Sequence, residues 1–200
     1  FYTHREREGH TERPQKWDRE FVKYACEQSL TRLQTDYIDL YQLHNPKMDA
    51  LANDELFETL DELIKEGKIR HYGAAIGPDI GWFDEGEASM RERNVEAVQI
   101  IYNVLEQQPA RQFFPIAEKC GTGLLSRVPH ASGLLDGTYT QNTVFAPNDH
   151  RSHRRKAWLE TGIKKLAAIQ FLEQEMSSTI GQIAIKFVLS APKVAVVLPN

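Results

Sequence analysis

The sequence Asp-Tyr-Ile-Asp-Leu-Tyr-Gln-Leu-His at residues 36–44 decides the fold class of this chain. It is short, it is rich in branched and aromatic residues, and it runs into Asn45-Pro46, where proline cannot continue a hydrogen-bonded ladder. Because successive residues of a strand point to opposite faces, Gln42 and His44 share one face with the apolar residues before them. The stretch therefore predicts a strand with a polar side chain at its carboxyl end.

Helical and strand-like patterns alternate on both sides of this strand. An amphipathic helix behind Asp18 precedes it, and a helix over 56–64, closed by Gly67, leads to a strand over 69–75. Further helices are predicted at 85–93, 110–119, within 153–176 and at 179–190, and further strands at 95–102, 122–127 and 194–198. Five strands separated by helices predict βα units in a parallel sheet.

Parallel strands joined by right-handed crossovers allow two architectures, an open doubly wound sheet or a (β/α)8 barrel. Polar residues near the strand ends (His44, Gln99 and Arg127) are typical of a barrel mouth, and no glycine-rich phosphate motif follows the first strand. The pattern favours the barrel, which takes ~250 residues when complete, so five strands are too few to close it. We expect residues 1–200 to form a single, incomplete barrel domain.

Composition excludes several classes of function. Lys and Arg number 24 against 28 Asp and Glu, and basic residues are scattered apart from the run at 154–156, so nucleic acid and anionic membranes are poor partners. No apolar run approaches the ~20 residues of a membrane span. Cys26 and Cys120 lack the spacing of a disulfide framework or a zinc site, and His150 and His153 have no carboxylate at metal-ligand spacing. We expect a cytoplasmic protein without a metal.

Several motifs follow one another in the order of a known enzyme family. After Ser-Leu-Thr-Arg-Leu at 29–33 and the strand at 36–44 come Glu-Gly-Lys-Ile-Arg at 66–70, Val-Gln-Ile-Ile-Tyr-Asn at 98–103 and Gly-Leu-Leu-Asp-Gly at 133–137. Together they resemble the aldo-keto reductase signature over nearly the whole chain. The resemblance implies an α/β fold, a partial (β/α)8 TIM barrel with parallel strands alternating with helices. It also implies an NADP(H)-dependent oxidoreductase that reduces a small aldehyde or ketone by hydride transfer.

The resemblance assigns roles to residues at the strand ends. His44 matches the catalytic histidine, whereas the family's Asp, Tyr and Lys would precede Phe1. We therefore expect the chain, which begins without Met, to be roughly the middle two-thirds of such an enzyme and inactive alone. Gln99 matches the glutamine that hydrogen-bonds the nicotinamide carboxamide. Arg127 matches the aromatic or cationic side chain that lies against the nicotinamide ring. Ala75-Ile76 replaces the polar pair that helps to hold the carboxamide, so Gln99 and backbone groups would carry more of its orientation.

The loop after the fourth strand completes the implied cofactor site. Val128, Pro129, Gly133 and Leu135 lie where the family has a Ser-Pro-Leu loop whose backbone N–H groups meet the pyrophosphate. Arg151 is expected to reach the pyrophosphate or the 2′-phosphate, since a guanidinium pairs with phosphate oxygens in a fork.

Each assignment has a structural alternative. His44 can satisfy a buried carbonyl, Gln99 can belong to a polar layer of the barrel core, Arg127 can form a surface ion pair, and Arg151 can pair with Asp149. Two other classes of function are also open. One is a non-catalytic member of the family that binds the nucleotide as a sensor or regulatory subunit, and the other is an open flavodoxin-like sheet that binds a flavin or a protein partner.

Overall fold

A computed structural model describes residues 14–77, 82–108 and 110–199 of the chain. Strands and helices alternate as the sequence predicts. The strands are β1 (Ile38–His44), β2 (Ile69–Ala75), β3 (Ala97–Ile101), β4 (Gly123–Arg127) and β5 (Val194–Leu198). The helices are α1 (Arg19–Leu33), α2 (Met48–Leu51), α3 (Asp54–Lys65), α4 (Phe83–Arg91), α5 (Ala110–Cys120), α6 (Lys156–Ile169), α7 (Leu172–Met176) and α8 (Ile180–Leu189). Two 3-10 helices cover Ala131–Asp136 and His150–His153.

The strands follow one another in the sheet in the order β1-β2-β3-β4-β5. The pairings β1 with β2, β2 with β3 and β4 with β5 are all parallel. The chain divides into two compact units, the first over 1–99 and 116–122 and the second over 100–115 and 123–200. A single barrel domain over residues 1–200 stays a prediction.

The first unit buries the helix-facing side of β1 against apolar helix stripes. Helix α1 begins at Asp18, whose side chain accepts a hydrogen bond from the Phe21 amide, and it buries Val22, Cys26 and Leu30. In β1, Tyr41 and Leu43 are buried, whereas the alternate face that carries Gln42 and His44 is half-buried to exposed. This parity leaves the polar side chains of β1 on the face away from the helices, as the barrel interpretation predicts.

The second unit has its own apolar cluster, formed by the loop after β4 and helices α6 and α8. Leu134, Leu135, Leu159 and Ile183 are among its buried members. Helix α8 begins with the predicted capping box, in which Thr179 and Gln182 bond each other's backbone N–H groups. The local sequence thus defines the start of α8 while apolar burial fixes the position of the helix.

Differences from the sequence predictions are confined to short or irregular segments. Strand β3 is shorter than predicted, whereas α5 continues through Pro115 as predicted. No helix was predicted for α2 or for most of the two 3-10 helices, since four to six residues are too few to show a helical period. Both cysteines are free. Among the described residues, no helix combines the length and apolar character needed to cross a bilayer.

Candidate functional site

The first unit brings His44 and Gln99 to the same end of its sheet. His44 is opposite Ala75 in the register of β1 and β2, and Ala75 is opposite Gln99 in the register of β2 and β3. Backbone bonds from Asn45 N to Ala75 O (2.8 Å) and from Ile76 N to Gln99 O (2.9 Å) extend this register past the end of β2. Since adjacent strands are about 4.8 Å apart, the two backbones lie about 10 Å from each other.

The backbone at His44 is held while its side chain is exposed. Gln15 Nε2 donates to the carbonyl oxygens of His44 (2.9 Å) and Asn45 (3.2 Å). On the same face of β1, the buried Gln42 Oε1 accepts no hydrogen bond within the described part of the chain. A buried acceptor without a partner costs about 1–3 kcal/mol, so a donor brought to this face would bind there favourably.

Ala75 and Ile76, where the sequence departs from the family's polar pair, also form an apolar surface in the structure. Both side chains are buried and carry no polar atom, so neither can orient a carboxamide. Gly73, two residues earlier, lies so close to β3 that a Cβ would be 2.5 Å from the Ala97 carbonyl oxygen. Glycine therefore allows the close approach of β2 to β3 that places Gln99 beside the end of β2.

In the second unit, Arg127 is the last residue of β4 and lies opposite Leu198 of β5. It is half-buried, and burial lowers the pKa of its guanidinium, while the negative charge of Glu106 acts in the opposite direction. The guanidinium is thus partly withdrawn from water and close to an acid. This environment allows stacking on a planar group, while the Glu106 carboxylate offsets part of the positive charge that an anion would meet.

Asn103 joins the loop after β3 to the loop after β4, a role that sequence reasoning missed. It is fully buried, and its Oδ1 accepts hydrogen bonds from the amides of Leu105 and Glu106, both at 2.9 Å. Its Nδ2 donates to Glu106 Oε2 (2.8 Å) and to the Val128 carbonyl (3.0 Å). The only signal for this role in the sequence is an amide side chain directly after the strand, because its partner Val128 is 25 residues away.

The loop after β4 has an unusual backbone. Val128, Ala131 and Ser132 have φ angles of 58°, 49° and 58°, and Gly133 has φ 92°. The left-handed region costs of order 1–3 kcal/mol for a residue other than glycine, and a β-branched residue such as Val128 is rare there. The surrounding hydrogen bonds hold the loop in this shape.

Two of the predicted pyrophosphate ligands of this loop are engaged within the protein. The amides of Gly133 and Leu135 both donate to the His130 carbonyl, each at 3.0 Å. The side chains of Pro129 and Leu135 are buried, and proline carries no N–H. A ligand would therefore use other amides of the loop or require these two bonds to open.

Arg151 forms an ion pair with Asp149, which is the structural alternative to its predicted role in phosphate binding. Its Nε and Nη2 donate to the two Asp149 carboxylate oxygens at 2.8 and 2.5 Å, and its Nη1 donates to the Tyr139 hydroxyl. The guanidinium also lies 5.1 Å from the centroid of the Phe145 ring. Its bonds to Asp149 raise the pKa of Arg151. A phosphate role for Arg151 stays a prediction, and a bound phosphate would compete with Asp149.

The family model for the aldo/keto reductases matches residues 8–200. The chain belongs to the aldo/keto reductase family. The oxidoreductase YqkF of Bacillus subtilis is 28% identical over 91% of this chain and 57% of its own length. The NADH-specific methylglyoxal reductase of Escherichia coli is 30% identical over 78% of this chain and 45% of its own length. The chain thus spans about half the length of these curated relatives.

Solved aldo/keto reductase structures share its fold. The glycerol dehydrogenase of Gluconobacter oxydans superposes with a TM-score of 0.80, at 23% identity, over 98% of this chain and 59% of that one. An aldo/keto reductase of Klebsiella pneumoniae, solved with NADP and acetate, has a TM-score of 0.66 at 23% identity over 90% of this chain and 54% of that one. The predicted partial barrel is confirmed as the fold class. The alternative architecture, an open flavodoxin-like sheet, is not supported.

Among the described residues of this aldo/keto reductase, no group of three or more His, Cys, Asp or Glu side chains is placed to hold a metal ion. The side chains of His150 and His153 lie outside the described residues.

Proposed function

We propose that this protein is an NADP(H)-dependent oxidoreductase that reduces an aldehyde or ketone by hydride transfer. The observation that carries the proposal is the register that aligns His44, Ala75 and Gln99 across three parallel strands. Family membership supports the class of reaction. The cofactor, the substrate and the activity of the whole protein are parts of the proposal.

The residues at the strand ends suit such a cofactor. The half-buried Gln99 carries a side-chain amide that can both donate to and accept from a planar carboxamide. Gln99 would hold the nicotinamide and fix which face of the ring the substrate meets. The cofactor, when bound, supplies the hydride.

His44 would act on the substrate. Reduction of a carbonyl develops negative charge on oxygen, and a donor preorganised toward that oxygen stabilises the transition state. The exposed His44 imidazole, on a backbone fixed by Gln15, can be that donor. A small carbonyl compound is then the expected partner. The two free cysteines agree with a reducing, cytoplasmic location, which we include in the proposal.

The two roles are separated by two substitutions in the whole protein. We expect His44→Ala to lower kcat for aldehyde reduction with little change in NADPH affinity. We expect Gln99→Ala to weaken NADPH binding roughly fivefold or more, since a lost hydrogen bond costs ~1 kcal/mol and more when a buried partner is left unsatisfied. Steady-state kinetics on a nitrobenzaldehyde and fluorescence titration with NADPH measure these effects.

Matched controls exist for both substitutions. His71→Ala changes an exposed histidine of β2 whose ring pairs with Glu96 at 3.5 Å, and Gln174→Ala changes an exposed glutamine of α7. Both should leave kcat and NADPH affinity unchanged. NADPH binding without turnover of any aldehyde would favour the sensor or regulatory subunit. If His44→Ala weakens NADPH binding and spares kcat, His44 is a cofactor or structural residue.

A further inference from the structure

A cavity of about 430 Å³ lies in the second unit, between the segment 141–145 and the start of α6. This volume is within the range of pockets that hold small molecules. Apolar side chains form one part of its wall, including Phe145, Trp158 and Leu159. The four ionisable side chains that line it in the described part of the chain are all cations: Arg151, Arg154, Arg155 and Lys156.

Within the described part of the chain, two of these cations have no compensating carboxylate. Arg151 is neutralised by Asp149, and Lys156 has Glu160 at 3.8 Å. Arg154 and Arg155 form no ion pair among the described residues, and the Arg154 guanidinium there hydrogen-bonds only the Ser132 hydroxyl, at 3.1 Å. The cavity therefore has an excess of positive charge that an anion would compensate.

The position of these cations at the start of α6 is electrostatically unfavourable. Arg154 and Arg155 directly precede α6, Lys156 is its first residue, and its first turn contains no acidic residue. The amino end of a helix carries partial positive charge, so cations are unfavourable there and an anion is favoured. A ligand with two negative charges would offset more of this repulsion than a carboxylate with one.

The apolar wall selects for a flat organic group beside the anion. The rings of Phe145 and Trp158 lie 6.3 Å apart, and Arg154 lies 4.5 Å from the centroid of the Trp158 ring. Stacking restrains this guanidinium, so less conformational freedom is lost when a ligand binds. Val144, which also lines the cavity, is 90% exposed and would be covered by an occupant.

We propose that this cavity binds a small aromatic phosphate at a site that uses Arg154 and Arg155 and leaves Arg151, the residue predicted for the dinucleotide phosphates, paired with Asp149. Arg154 and Arg155 would hold the phosphate dianion, and its ring would contact Val144, Phe145 and Trp158. The phosphates of NADPH itself are another source of the same chemistry, and competition with NADPH distinguishes the two.

Calorimetric titration of the chain with phenyl phosphate tests the proposal. We expect phenyl phosphate to bind one site, and to bind it more tightly than inorganic phosphate because the ring adds apolar contact. Arg155→Glu should weaken phenyl phosphate about tenfold or more, because it removes a charged hydrogen-bond donor and adds repulsion. Lys164→Glu makes the same charge change on α6 at an exposed residue that does not line the cavity, and it should have less than a twofold effect.

Arg155→Gln removes the charge with little change in size and keeps the test valid if Arg155→Glu does not fold. The proposal is overturned if phenyl phosphate does not bind, if inorganic phosphate binds equally well, or if Arg155 and Lys164 variants weaken binding alike. It is also overturned if saturating NADPH abolishes phenyl phosphate binding, since the cavity would then belong to the dinucleotide. A failure of NADPH to bind counts against the proposed function and leaves the titration with phenyl phosphate unaffected.

Discussion

Replacing Asn103 by alanine removes the side-chain hydrogen bonds that join the loops after β3 and β4. Not every partner is left unsatisfied. The Val128 carbonyl still accepts from Ala131 N at 3.0 Å, and Glu106 N still reaches the backbone carbonyl of residue 103 at 3.2 Å. The Leu105 amide loses its bond to the Asn103 side chain, which costs about 1–3 kcal/mol if the amide stays dry. With ~1 kcal/mol for the lost bond to the Glu106 carboxylate and a small cavity term, we expect a loss of about 3 kcal/mol.

Urea denaturation at neutral pH measures this loss as a difference in the free energy of unfolding. Asn142→Ala is the matched control, since Asn142 is exposed and its side chain forms no hydrogen bond within the described residues, and we expect a change within about 0.5 kcal/mol. A loss of less than about 1 kcal/mol for Asn103→Ala would refute the reasoning, because the buried amide would then be replaceable by water or by relaxation of the loop.

Two further predictions concern stability. Gly133→Ala should cost about 2–4 kcal/mol by urea denaturation, because φ is 92° and the new Cβ would be 2.8 Å from Tyr139 Cζ. Gly137→Ala, with φ 73° and no atom closer than 3.7 Å, should cost only the ~1 kcal/mol of the backbone term, and equal losses would contradict the clash. Two lysine side chains lower the pKa of Glu66 to about 2, so its carboxylate stabilises the fold above the unfolded value of about 4.3 and loses this effect as pH falls toward 2. Glu66→Gln should therefore lower the free energy of unfolding by less than about 1 kcal/mol at pH 7. The urea midpoints of the variant and the wild type should converge as the pH falls from 4.5 to 2. A difference that does not depend on pH would rule out the ion pairs as its cause.

The parts of the fold that were predictable are those encoded over a few residues. The bounds of β2 and β5 agree with the sequence prediction, and the capping box at Thr179 and Gln182 is present. Both kinds of signal depend on neighbours within about one turn or one strand. Strand parity also predicted which face of β1 carries His44.

The candidate site was less predictable because its geometry depends on distant residues. The sequence left Arg151 with two interpretations, and the ion pair with Asp149, two residues away, is the one the structure contains. Asn103, in contrast, bonds Val128, which is 25 residues away, and no periodic pattern in the sequence indicates that bond. The left-handed Val128 was equally unpredictable, since its local preference is for extended backbone and tertiary bonds override it.

The start of α8 has a consequence for local motion. The amides at the beginning of a helix ordinarily have no partner within the helix, and the first turn frays into solvent. Here the Thr179 amide donates to the Gln182 side chain, the Ile180 amide to Glu173 Oε1 at 2.9 Å, and the Gln182 amide to the Thr179 hydroxyl. These bonds satisfy three amides that would otherwise depend on water. We therefore expect the Thr179, Ile180 and Gln182 amides to exchange their hydrogens more slowly than those of an uncapped helix start, and the start of α8 to fray less.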